Sequence, residues 1–126
     1  MFKDKDSAAI LGVKDLDRAR AFYGQTLGLE LDPKSGDDVA VFKTGRTVIC
    51  VYVSDFAGTN KANAVVWGVG DEIEAITADL ASKGVTFEKY DMDGVTFENG
   101  VHRAGDFRMV WFKDPDGNIL HLNSGD

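Results

Sequence analysis

Val13-Lys-Asp-Leu-Asp-Arg-Ala19 and Val69-Gly-Asp-Glu-Ile-Glu-Ala75 begin 56 positions apart (13 and 69) and share valine, aspartate and alanine at matching places. Each follows an apolar run and opens a helical pattern, so the chain reads as one supersecondary unit used twice. A module of this kind cannot bury its own sheet face. Two copies are therefore expected to pack around a shared concavity suited to a ligand.

Working outward from Val13, Ser7-Ala-Ala-Ile-Leu-Gly-Val13 suits a strand, and Asp15 can cap a helix carrying Leu16, Ala19, Phe22, Tyr23 and Leu27, with Gly28 as its stop. Glu30 and Leu31 leave room for one short strand. After the Asp32-Pro-Lys-Ser-Gly36 turn, Val39–Lys43 and Thr47–Val53 form a hairpin around Thr44-Gly45-Arg46. From Val69, the preceding Ala64–Val69 is a strand. Asp71 with Glu74 resembles a capping box ahead of Ile73, Ile76 and Leu80, and Gly84 ends that helix. Val85–Lys89 reads as a strand, and Phe107–Lys113 with Ile119–Asn123 makes a hairpin around Asp114-Pro-Asp-Gly-Asn118. Residues 90–106 have no counterpart in the first copy and read as an added loop, either solvated irregular chain, the commoner outcome, or a segment that shapes a site.

The 126 residues suit one domain spanning 1–126, with module one at about 7–53 and module two at about 64–123. With 44% hydrophobic and 28% charged residues the balance is globular. The net charge of −7 argues against nucleic acid, which needs clustered Lys and Arg. Charges in Met1-Phe-Lys-Asp-Lys-Asp6 interrupt any signal peptide, and no window is long and apolar enough to span a bilayer. The expectation is a cytoplasmic protein without membrane contact. Cys50 is the single cysteine, so no intrachain disulfide or cysteine-based zinc cluster can form.

Alternation sorts the strands by face. Ile49, Val51 and Val53 suit packing beneath a helix, as do Phe112, Val110, Leu120 and Leu122 in the last hairpin. The open face then carries Val48, Cys50 and Tyr52, joined by Phe42 and Ala40 if Lys43 pairs with Thr47. In the last hairpin, pairing Lys113 with Ile119 sets Trp111 opposite His121 and Met109 opposite Asn123. Apolar walls with a few polar groups are what a small-molecule pocket needs. The alternative is a filled interior in which Tyr52 and His121 satisfy each other or the backbone. Trp67 alternates to the helix side with Val65 and Val69.

Val13-Lys-Asp-Leu-Asp-Arg-Ala-Arg-Ala-Phe-Tyr23, Leu27-Gly-Leu29 and Trp111-Phe-Lys-Asp-Pro-Asp-Gly-Asn-Ile-Leu-His-Leu122 resemble the vicinal oxygen chelate superfamily. Glyoxalase I, the bleomycin resistance proteins and the extradiol dioxygenases belong to it. The resemblance implies an α+β fold of two βαβββ modules in an open, barrel-like mixed sheet with helices outside, in a homodimer. It also implies up to four metal ligands, one on the first strand and one on a late strand of each module. Those positions fall on Ala8, Ala64, Cys50 and His121, and neither alanine can bind through its side chain. Two candidate ligands of mixed softness fall short of the three or more expected of a catalytic zinc or non-haem iron. No metal and no cofactor are therefore expected.

Cys50 beside His121 would form a thiolate and imidazole pair if their strands were adjacent. His102 and Arg103, in the added loop with Glu98, could meet a polar or anionic ligand group. Asp114-Pro-Asp-Gly117 suits a turn and lacks the further carboxylates of a calcium loop. The leading expectation is a metal-independent protein, similar in plan to bleomycin resistance proteins, binding a small, partly aromatic ligand through Phe42, Cys50, Tyr52, Trp111, His121, His102 and Arg103. The competing readings are a divergent metal-dependent lyase or dioxygenase of the same superfamily, and a dimeric scaffold with a filled interior.

Overall fold

The computed structural model describes residues 1–125. The protein is α+β, with strands in two mixed sheets and one principal helix in each repeat. Two compact units result: residues 1–60 with 115–118, and residues 61–114 with the chain from Ile119 on. No helix among the described residues is long and apolar enough to cross a membrane.

In the first unit, β1 (Ala9–Val13) leads to α1 (Leu16–Arg20), which runs on into a wider-wound turn over Ala21–Thr26. Asp15 caps the helix as its sequence position requires, its carboxylate accepting the Arg18 N–H at 3.1 Å. Strands β2 (Glu30–Leu31), β3 (Val39–Thr44) and β4 (Thr47–Val53) complete a sheet of order β1-β4-β3-β2, with β1 parallel to β4. Leu11, Val13, Leu16, Ala19, Tyr23, Ile49 and Val51 form the core between sheet and helix.

One register departs from expectation. Thr44, not Lys43, pairs with Thr47, because the connection has two residues, Gly45 and Arg46, with Gly45 at φ +55°. A slip of one residue exchanges the faces of a whole strand. Phe42 and Ala40 therefore point under the helix: Phe42 is 1% exposed and its ring lies 5.8 Å from that of Tyr23. Val39, Val41 and Lys43 take the open face beside Tyr52, Cys50 and Val48.

In the second unit, β5 (Asn63–Gly68) and α2 (Ile73–Ser82) are followed by β6 (Thr96–Glu98), β7 (Val101–Ala104), β8 (Phe107–Lys113) and β9 (Ile119–Asn123). The order is β5-β9-β8-β7-β6, with β5 parallel to β9. Trp111 faces His121 and Lys113 faces Ile119, as the last hairpin's turn implies. Phe112, Val110, Leu120 and Leu122 are all buried.

Three expectations need correction here. Residues 90–106 are not a plain loop. They include the β6–β7 hairpin, in which β7 occupies the position of β2 in the first sheet and β6 is additional. Asn99-Gly100 turns this hairpin with both residues at positive φ, +53° and +84°, the conformation that Asn-Gly favours in two-residue connections. Val85–Lys89 forms no strand, making only an isolated bridge from Phe87 to Phe112. Asp71 and Glu74 do not build a capping box. α2 starts without a side-chain cap, and Arg108 takes both carboxylates, at 2.9 Å and 2.6 Å.

The Pro115–Asn118 turn belongs to the first unit. The Asp116 carboxylate accepts the Arg18 guanidinium at 2.7 Å and the Lys14 N–H at 3.2 Å, while the Asn118 amide donates to the Gly12 carbonyl at 2.9 Å. Gly58, at φ +77°, lies where an added Cβ would run into the Asp116 carbonyl oxygen. Gly36 has open space around it and no such φ. Gly58→Ala should destabilise by on the order of 2–4 kcal/mol, whereas Gly36→Ala should stay within about 0.5 kcal/mol of the parent. Urea unfolding of both variants checks the contrast, and equal midpoints would refute the close approach.

Candidate functional site

The open face of the second sheet gathers the aromatic and imidazole groups. On β5, Val66 stands beside His121; β8 supplies Met109 and Trp111, β7 His102 and β6 Phe97. The Trp111 indole stacks on His121 with centroids 4.7 Å apart and planes 18° apart, which is the cross-strand pair made visible as ring contact. His102 meets the other side of this array, 4.9 Å from Trp111 and 4.7 Å from Phe97, both edge-on. Tyr90 stacks on His102 at 6.2 Å and sets its edge to Trp111 at 5.2 Å.

Hydrogen bonding assigns the proton on each imidazole. The Asn123 side-chain oxygen accepts the Gly125 N–H at 3.0 Å, which turns its amide nitrogen toward His121 Nε2 at 3.3 Å. Nε2 is then the acceptor, and Nδ1–H donates to the Val110 carbonyl at 3.1 Å. Burial lowers the His121 pKa, opposed by the Val110 bond. His102 Nε2 accepts the Tyr90 N–H at 2.9 Å, so its proton also sits on Nδ1, which has no partner of good geometry among the described residues. Burial lowers the His102 pKa as well. The Met109 carbonyl and Asp91 pull it up, and Lys89 adds to the lowering. Both rings are neutral at pH 7.

The expected site residues divide. Trp111, His121 and His102 come together. Arg103, next to His102 on the same strand, points to the helix face and pairs with Glu74 at 3.0 Å. Cys50 and the 38%-exposed Tyr52 lie on the open face of the first sheet, where Ile10 and Val41 flank Cys50. Phe42 is on the opposite face, for the register reason given above. Strands β4 and β9 belong to different sheets, so the adjacency required for a Cys50–His121 pair is not met. Tyr90 and Phe97 were not anticipated. The alternation of Thr96-Phe-Glu98 could have indicated Phe97, whereas Tyr90 lies in a stretch without periodicity.

These residues do not fit a bound metal. Ala8 and Ala64 offer no side-chain donor, and the His121 Nε2 lone pair already accepts from Asn123. Its open-face neighbours are Val66 and Trp111. Among the described residues, no three His, Cys, Asp or Glu side chains come together as a metal site.

Similar structures share this architecture at low identity. A genomically encoded fosfomycin resistance protein, FosX, from Listeria monocytogenes superposes with a TM-score of 0.75 at 21% identity, over 98% of this chain and 94% of that one. A lactoylglutathione lyase from Agrobacterium tumefaciens gives 0.68 at 21% identity, over 95% and 92%. A glyoxalase/bleomycin resistance protein/dioxygenase from Alicyclobacillus acidocaldarius gives 0.72 at 17% identity, over 95% and 90%. Residues 7–122 match the family described as the Glyoxalase/Bleomycin resistance protein/Dioxygenase superfamily, and the chain belongs to it.

Proposed function

We propose that the protein binds a small, partly aromatic molecule on the open face of the second sheet, without a metal. The observation that carries this reading is the stacked Trp111–His121 pair, in which Trp111 is partly exposed and His121, buried beside it, is held by Asn123 and the Val110 carbonyl. A flat ring can continue the stack at little entropic cost because the two protein rings are already oriented. A neutral imidazole presents no charge to desolvate, which suits an uncharged aromatic group better than a carboxylate or phosphate. Val66, 58% exposed, and Met109 supply adjacent apolar wall. Tyr52 and Cys50 are the corresponding open-face groups of the first sheet.

Three outcomes follow. A thermal-shift screen of small aromatic compounds should give hits that quench tryptophan fluorescence, and Trp111→Ala should weaken them about tenfold or more. Hits unaffected in a folded Trp111→Ala variant would refute this site. Protein purified without chelator should contain no stoichiometric zinc, nickel, iron or manganese. Bound metal that His121→Ala removes would overturn the metal-free reading in favour of a lyase or dioxygenase.

The third outcome concerns pH. His121 and His102 should titrate by NMR below the ordinary value of about 6.5. Because the unfolded histidines bind protons first, stability should be full above about pH 6.5 and fall as pH drops toward the folded pKa values. Urea unfolding between about pH 8 and pH 5 measures this, and His102→Phe should flatten the slope.

A further inference from the structure

The opposite face of the second sheet carries a separate feature. Glu74, Thr77, Ala78 and Ala81 fall at i, i+3, i+4 and i+7 on α2 and so share one face of the helix. Three of the four are no larger than threonine. The facing β6–β7 hairpin is therefore left with an open groove of about 530 Å³, within the range of small-molecule sites. Phe87 lines it, its ring packed edge-on against Phe112 at 6.1 Å, and Glu98, Asn99, Val101 and Arg103 form the other wall. The buried Gly100 packs closely behind two of the lining side chains: a Cβ there would stand 3.0 Å from Phe87 and 3.3 Å from Thr77.

Charge selects the occupant. Glu74 is held by Arg103 at 3.0 Å and by Arg108 at 2.6 Å, and Arg108 also holds Asp71 at 2.9 Å. Glu98 is the remaining carboxylate and has no side-chain partner among the described residues. Three carboxylates against two guanidiniums leave one negative charge at the groove. An anion would meet Glu98 and find both arginines already engaged. A cation would gain a charge-assisted bond to Glu98 and could lay its apolar body on Phe87, Ala78 and Ala81. We propose that the groove between α2 and the β6–β7 hairpin binds a small organic monocation, an aryl- or alkylammonium, with its charge on Glu98. This site is independent of the open face, since neither Trp111 nor His121 lines it.

Amide NMR titration with phenethylammonium tests the assignment, with phenylacetate and 2-phenylethanol as anionic and neutral controls. The cation should shift the Ala78, Ala81, Asn99 and Val101 amides saturably, and the controls should bind at least about tenfold more weakly. Glu98→Gln should weaken the cation about tenfold, Ala78→Leu should occlude the groove, and Trp111→Ala should leave binding unchanged. The same spectra show that each variant is folded, and Glu98→Lys serves as a second charge variant on the exposed hairpin. Absence of saturable shifts up to on the order of 10 mM, equal binding of phenylacetate, or insensitivity to both Glu98 variants would overturn the proposal. Loss of binding in Trp111→Ala would assign the probe to the open face instead, and would also overturn it.

Discussion

The parallel pairing of the first and last strand in each module, β1 with β4 and β5 with β9, is the constraint on which the rest depends. Parallel neighbours cannot be joined by a tight turn, so the chain must cross over the sheet, and it does so through α1 or α2. The crossover dedicates one sheet face to a helix. Leu11 and Val13 beside Val51 and Val53, and Val65 and Trp67 beside Leu120 and Leu122, then have one available direction. Alternation sends Ile10, Cys50, Val66 and His121 the other way. Open-face chemistry is thus a by-product of how the core is closed.

Legibility of a face from sequence rests on legibility of the turn that sets its register. The Asp114-Pro-Asp-Gly-Asn118 turn has its conformation written in its residues, and the Trp111–His121 pairing drawn from it holds. Thr44-Gly45-Arg46 is less explicit. Threonine serves equally well in a strand or a turn, and its place in β3 moves Phe42 across the sheet. Neighbouring strand positions can therefore differ greatly in how well sequence places them, even where the elements themselves are evident.

Residues 90–106 show a different limit. Asn99-Gly100 is the strongest short-range hairpin signal in the chain, but its flanks, Thr96-Phe-Glu98 and Val101-His-Arg-Ala104, are too short to establish a period on their own. Tertiary pairing with β8 makes β7 a strand, and His102 and Arg103 then diverge to opposite faces. The capping-box pattern of Asp71 and Glu74 failed for a related reason. Local spacing cannot register a distant arginine, and a guanidinium that reaches both carboxylates competes better than two exposed backbone N–H groups.

The second sheet consequently separates two electrostatic regimes by the thickness of one strand layer. Its helix face concentrates ions: Glu74, Asp71, Arg103 and Arg108 neutralise one another, and Glu98 remains outside the network. On its open face, burial pulls the His102 and His121 pKa values down against the Met109 and Val110 carbonyls, hydrogen bonds put their protons on Nδ1, and Lys89 lies 5.7 Å from the centroid of the Phe97 ring. The side chain that most constrains the chemistry of that face is Asn123, because its amide orientation decides which lone pair His121 can offer. With the amide locked by Gly125, the imidazole acts as a fixed aromatic plate with its basic nitrogen occupied. His121 stacks on Trp111 with its Nε2 turned to Asn123, so the imidazole presents a flat ring and not a free nitrogen lone pair.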